Sequence, residues 1–244
     1  MIFKDKVVVI TGAGGGMGRA VAKAFDQEGA KLAITDASAK GLAETVSVLQ
    51  NKNVISSVVD IRSVQSIYDF MNQVKNKIGH VRVFANCAGV WHDSAFDEVT
   101  EEQWNFVLDI NLKGNFFFNQ AAMIQMKEAG GGSIVNIAST AGEYGSIRHA
   151  PHYAASKGGV IAMSKSLARE GAPSIRVNVV SPGPTDTPML AATEEEKREV
   201  AKRPLVGRLG TPEDMAAAIL YLSDPSKAGY ITGEVLRVNG GSLI

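Results

Sequence analysis

Short apolar runs rich in β-branched residues alternate along this chain with longer stretches of helical periodicity, and nothing else in it restricts the fold as strongly. The runs are 6–11, 31–36, 54–60, 81–86, 133–139, 175–181 and 234–238. Most lack the polar alternation of a strand with one wet face, so they read as buried on both sides. Such strands, separated by helices, require right-handed crossovers and a parallel sheet covered on both faces. The segments 17–28, 39–50, 64–78, 101–128, 153–170 and 212–222 carry the helical apolar period. Thr211 as N-cap and Pro212 at the first helical position open the last of them. The expected fold class is α/β, a doubly wound, seven-stranded parallel sheet with helices on both faces. No long polar linker, internal repeat or low-complexity tract divides the chain, so residues 1–244 are expected to form one domain.

At 244 residues and 45% hydrophobic, the chain can bury a substantial core. Its 25 Lys and Arg balance 25 Asp and Glu, and no block of like charge stands out, which argues against nucleic acid or an anionic membrane as partner. The start, Met1-Ile-Phe-Lys-Asp-Lys, has charges too close and an apolar stretch too brief for a signal peptide or a membrane span. The lone cysteine, Cys87, sits among Ala85, Ala88 and Gly89 and reads as a buried, inert thiol in a chain suited to a reducing cytoplasm. His149 and His152 are three apart, but no carboxylate or cysteine completes a metal site, and none is expected.

The first strand ends in Thr11-Gly-Ala-Gly-Gly-Gly-Met-Gly-Arg and runs straight into a helix. In that context glycines let backbone amides approach a pyrophosphate at a helix N-terminus. The G-x-G-x-x-G spacing fails from Gly12, because the sixth position is Met17; Thr-Gly-x-x-x-Gly-x-Gly is satisfied by Thr11, Gly12, Gly16 and Gly18. Asp36, twenty positions after Gly16 at the tip of the second strand, can accept hydrogen bonds from both adenosine ribose hydroxyls. A 2′-phosphate would meet that carboxylate with no arginine or lysine before Lys40 after it, so the expected cofactor is NAD. Asp60 and Ile61, ending the third strand, offer an acceptor and an apolar wall for the adenine, or form an ordinary strand-ending turn.

Tyr153 and Lys157 fall four apart on a helix, which puts phenol and ammonium on one face. A tyrosine titrates near about 10, and a nearby cation favours its phenolate. Asn86-Cys-Ala-Gly closes the fourth strand, Asn111 lies within the long helical segment, and Ser139 ends the fifth strand, all at or near the carboxyl edge where open α/β sheets bind ligands. Together these segments resemble the short-chain dehydrogenase/reductase family over essentially the whole chain, which makes the expected sheet Rossmann-type.

The resemblance implies a catalytic tetrad of Asn111, Ser139, Tyr153 and Lys157. Tyr153 would be the general acid/base for hydride transfer between NAD(H) and a secondary alcohol or ketone, and Ser139 would hold the substrate oxygen. Lys157 would lower the tyrosine pKa and bond the nicotinamide ribose. Asn111 would distort its helix and hold a water that relays protons to Lys157. The resemblance also implies cofactor contacts from Gly12, Gly16, Met17, Gly18, Asn86 and Gly89, and from the turn Pro182, Gly183, Thr185 and Thr187 over the nicotinamide. It implies a homotetramer joined by segments 101–128 and 153–170 and by the C-terminal strand.

Ser139 and Tyr153 are fourteen positions apart, one more than in most family members, so segment 140–152 carries the substrate-facing difference. Glu143, Tyr144, Arg148, His149 and His152, with Trp91 and His92, are candidates for a wall facing a small-molecule substrate; Arg148 is suited to anchoring an anion. A covering segment is expected at about 185–208, with the charged run Glu194-Glu-Glu-Lys-Arg-Glu as its solvated face. One branch of the family reduces ketoacyl groups on acyl carrier protein with NADPH and usually has arginine where this chain has Gly15. That difference and Asp36 favour an NAD-dependent dehydrogenase of secondary alcohols over that branch. A non-catalytic NAD sensor is the alternative of another class.

Overall fold

A computed structural model describes residues 1–51, 53–147 and 149–244. Seven parallel strands form one sheet in the order β3-β2-β1-β4-β5-β6-β7. They are β1 (Val7–Thr11), β2 (Lys31–Asp36), β3 (Ile55–Val58), β4 (Val81–Asn86), β5 (Gly132–Ile137), β6 (Ile175–Pro182) and β7 (Val235–Val238). The expected doubly wound, Rossmann-type sheet is therefore present. The run at 54–60 is shorter than its apolar pattern, because β3 is an edge strand whose outer residues Ser56 and Val58 are exposed.

Alternation along each strand splits the core in two. Val8, Ile10, Leu32, Ile34, Val135 and Val180 face α1 (Gly16–Gln27), α2 (Ala39–Val48) and α9 (Pro212–Ser223). Val7, Val9, Phe84, Ile134 and Val177 face α3 (Val64–Ile78), α5 (Asn115–Glu128) and α7 (Pro151–Gly171), where Phe84 stacks on Phe118 at 5.8 Å. Fully burying one such apolar side chain stabilises by about 1.5–3 kcal/mol, so both layers are needed to hold a sheet that is apolar on both faces.

The long helical segment 101–128 is not continuous. It divides into α4 (Glu101–Leu108), a π-helical stretch Asp109–Gly114 and α5, and the break is centred on Asn111. A buried side chain that takes hydrogen bonds outside its own helix explains the local widening. Short helices α6 (Ala141–Tyr144), α8 (Glu194–Val200) and α10 (Pro225–Ala228) complete the chain. Among the described residues, no helix is long and apolar enough to cross a membrane.

Candidate active site

β1 and β4 are neighbours, yet the chain leaves them toward opposite halves of the sheet, so a crevice opens beyond their carboxyl ends. Thr11 closes its floor: its Oγ1 donates to Asn86 Oδ1 (2.6 Å) and accepts from the Ala88 amide (3.1 Å). The glycine turn then needs its glycines for two reasons. Gly12 and Gly16 have φ of +65° and +47°. A Cβ on Gly12 would lie 2.8 Å from the Ala88 backbone, and one on Gly18 would collide with the Gly12 carbonyl oxygen. Gly15, by contrast, is extended and has open space around it.

Two cavities meet here. The larger, about 610 Å³, is lined by Gly12, Gly16, Met17, Gly18, Asp36, Asp60, Ile61, Gly89 and Thr187 among others. The smaller, about 180 Å³, is lined by Trp91, Ser139, Tyr153, Lys157, Pro182, Gly183 and Thr185, and shares Met17, Cys87, Gly89, Thr187 and Met189 with the first. Asp36 stands at the far end of the larger cavity, its carboxylate accepting from the Gly14 amide (2.9 Å) and the Ser38 amide (2.9 Å). Asp60 is committed differently from expectation: Arg62 forks onto both its oxygens at 2.9 Å and holds its pKa down. Arg62, which also lines the cavity, went unnoticed in the sequence, where nothing about a lone arginine after a strand marks it.

In the smaller cavity, Tyr153 hydrogen-bonds with Ser139, whose Oγ also accepts from the Ala141 amide at 3.1 Å. Lys157 is buried, donates to the Ile137 carbonyl (2.9 Å) and lies 5.8 Å from the Tyr153 ring centroid. Burial sets the direction of both shifts. Burial pushes the phenol up, the Ser139 hydrogen bond only partly opposing it, and burial pushes Lys157 down to about 8. Desolvation is the largest cause for both groups, and an ammonium 5.8 Å from the ring centroid does not offset it.

Asn111 is fully buried beside these groups, close enough that a Cβ on Gly89 would lie 3.3 Å from its Oδ1 and 3.2 Å from Lys157 Nζ. Its side chain accepts from the Val90 amide (2.8 Å) and donates to the Val90 carbonyl (2.9 Å) and to Ser156 Oγ (3.1 Å). Only a second lone pair of Oδ1 is left for a relay toward Lys157. Asn86 lines neither cavity; it is a buried tie between strands.

The residues expected to wall the substrate are only partly brought together. Trp91 lines the smaller cavity, whereas His92, Tyr144 and His149 line neither. His149, whose carbonyl accepts from the Ser94 amide at 2.7 Å, and Tyr144 are both exposed. His152 turns inward against His92, with ring centroids 5.9 Å apart. Glu143 points away, toward β6 and β7. Arg148 lies outside the described residues. Cys87, read as inert core, lines both cavities, though burial raises its thiol to about 12. Pro184, Met189 and Leu190 add an apolar side, and Lys197 on α8 pins the covering segment by an ion pair to Asp186 (3.0 Å).

Residues 12–242 match the family model described as Enoyl-(Acyl carrier protein) reductase. The chain is 38% identical over 240 residues to acetoacetyl-CoA reductase of Synechocystis sp., spanning 98% of this chain and 96% of the relative. This chain belongs to the short-chain dehydrogenase/reductase family. It is also 38% identical over 248 residues to 3-oxoacyl-(acyl-carrier-protein) reductase FabG of Thermotoga maritima, covering 100% of each chain. A short-chain dehydrogenase/reductase described as glucose/ribitol dehydrogenase, from Brucella melitensis, superposes with a TM-score of 0.94 at 32% identity, covering 99% of this chain and 98% of its own. As a short-chain dehydrogenase/reductase the protein is an oxidoreductase of a family that works with a nicotinamide cofactor. The residues present fit such a group: a glycine cradle without room for Cβ atoms, a helix N-terminus facing the larger cavity, and a carboxylate at the ribose end.

Proposed function

We propose that this short-chain dehydrogenase/reductase interconverts a 3-oxoacyl thioester and its 3-hydroxyacyl form with NAD(H). The observation that carries the reading is the meeting of Ser139, Tyr153 and Lys157 in a cavity that opens directly into the glycine-lined one. The relatives named for acetoacetyl and 3-oxoacyl reduction favour the ketoacyl alternative over an unspecified alcohol dehydrogenase. A 3-hydroxyacyl group is itself a secondary alcohol, so the broader expectation is narrowed by this reading.

The cofactor supplies or takes up the hydride when bound. Ser139 would donate its hydroxyl hydrogen to the substrate carbonyl, and Tyr153, kept protonated by its raised pKa, would give its proton to that oxygen as the alcohol forms. Lys157 would hold the ribose, and Gly12, Gly16, Met17 and Gly18 would bind the pyrophosphate. Gly89 would admit the ribose closely, Ile61 would wall the adenine, and Pro182, Gly183, Thr185 and Thr187 would fix the nicotinamide. Asp36 selects NAD(H), because its carboxylate is fixed by two backbone amides where a 2′-phosphate would lie.

We read residues 1–244 as one catalytic domain covered by about 185–208, working in a reducing cytoplasm as a homotetramer. Exposed Trp104 on α4, with Phe116 and Ile124 on α5, supports the assembly.

Initial rates on acetoacetyl-CoA with NADH and NADPH in parallel test this reading. The expected kcat/KM with NADH exceeds that with NADPH by at least about tenfold, and Asp36→Ser narrows the gap. Preference for NADPH refutes the role of Asp36. Turnover of polyols or hydroxy acids but not of the thioester restores the broader alcohol reading, and no turnover at all favours the sensor.

A further inference from the structure

Glu143 lines neither cavity, and its side chain is only 12% exposed. The two oxygens of its carboxylate are used by two different strands. Ser181 Oγ on β6 donates to Oε1 at 2.6 Å, and Arg237 Nε on β7 donates to Oε2 at 2.7 Å. Sheet register makes this possible, since Ser181 and Arg237 are paired Cα partners across the β6–β7 ladder. One carboxylate on α6 therefore reads both.

What α6 holds gives the contact its meaning. At its start, the Ala141 amide donates to Ser139 Oγ, the Gly142 amide to the Ser139 carbonyl (2.9 Å), and the Thr140 amide to the Pro182 carbonyl (3.1 Å). On its other flank α6 lies against α7 where Lys157 sits: a Cβ on Gly142 would be 2.6 Å from the Lys157 carbonyl carbon and 2.7 Å from the Gly158 amide nitrogen. Ser181 immediately precedes the Pro182-Gly183 turn of the smaller cavity. The helix is thus wedged between the backbone of Lys157 and the end of β6, and Glu143 is the side chain that anchors it on the β6 side.

We propose that Glu143 is a positioning residue for the reaction, setting the Ser139 hydroxyl and the Tyr153–Lys157 face of α7 at a fixed distance from the Pro182-Gly183 turn. The inference rests on the proposed roles of Ser139 and Tyr153. A carboxylate suits the duty because both its oxygens accept, one from a buried hydroxyl and one from a guanidinium. A glutamine can still accept from Arg237 and donate to Ser181, more weakly. An alanine leaves the fully buried Ser181 hydroxyl without its acceptor and frees α6.

The test compares Glu143→Ala, Glu143→Gln and Arg237→Ala with wild type in kcat, KM, NADH dissociation constant by fluorescence, and amide exchange at residues 140–142. In Glu143→Ala, kcat falls about 10- to 100-fold, as misplacement by a fraction of an ångström to an ångström predicts, while NADH affinity changes less than about twofold. Exchange at 140–142 rises at least about tenfold. Glu143→Gln recovers at least about a third of the wild-type kcat, and Arg237→Ala gives a smaller loss not additive with Glu143→Ala. A kcat per folded molecule within about twofold of wild type, or unchanged exchange at 140–142, overturns the proposal. If wild type turns over no substrate, the functional reading fails on its own and exchange still decides whether Glu143 anchors α6.

Discussion

The two ends of the crevice are built by different means. The end proposed for the dinucleotide is made of backbone: Gly12, Gly16 and Gly18 shape it through φ angles and close approach, and even Asp36 is fixed by main-chain amides. The substrate end is made of side chains pinned across the fold, such as Glu143 to Ser181 and Arg237, Lys197 to Asp186, and Asn111 to Ser156. A backbone site tolerates no added atom but asks little of its neighbours, whereas a pinned site can be retuned one contact at a time.

The sharpest way to break the comparison is at the substrate end. Tyr153→Phe keeps the ring's packing and removes the phenol hydroxyl held against Ser139. Turnover should fall by about 10²- to 10⁴-fold, with NADH binding nearly unchanged. Residual turnover within tenfold of wild type would place the acid/base elsewhere and leave the smaller cavity without a role.

At the dinucleotide end a paired experiment sharpens the contrast. Gly18→Ala drives a methyl into the Gly12 carbonyl, while Gly15→Ala meets open space in an extended conformation that any residue adopts. Overpacking costs about 1–3 kcal/mol, so Gly18→Ala should lower Tm by several degrees and weaken NADH binding, and Gly15→Ala should do neither. Equal effects at the two positions would show that the glycines serve flexibility rather than space.

That division also explains what could be read from the sequence. The sheet and its helices were legible because strands apolar on both faces leave few topologies, and the glycine turn because its spacing is its geometry. Ser139, Tyr153 and Lys157 could be grouped because they end or follow strands at one sheet edge. The pins were not legible. Glu143 and Arg237 are 94 residues apart, and only the β6–β7 register brings Arg237 beside Ser181. For the same reason nothing in the sequence shows that Glu143 and His152 turn away from the cavity. The burial that raises the Tyr153 pKa is not legible either, because spacing shows that a cation is near but not how far both groups are desolvated.

His152 offers the smallest effect and tests the substrate end through pH. It is fully buried directly before Tyr153, and neither ring nitrogen has a hydrogen-bond partner among the described residues. Its pKa is lowered, first by burial and then by the facing His92. The unfolded chain, with a histidine near about 6.5, therefore takes up a proton that the folded one resists. The stability this site contributes is present above that value and lost as the pH falls through the lowered folded-state pKa. The carboxylates held low by partners, such as Asp214 by Arg208, contribute at lower pH, because their ordinary range lies near 4. Between pH 7.5 and 5.5 the melting temperature should fall by about a few degrees in wild type. It should fall less in His152→Leu, which replaces an unsatisfied imidazole by an apolar side chain and should be no less stable at the acid end. An identical slope in the two proteins would mean that His152 is reached by water and that the loop carrying His92 does not seal the foot of α7.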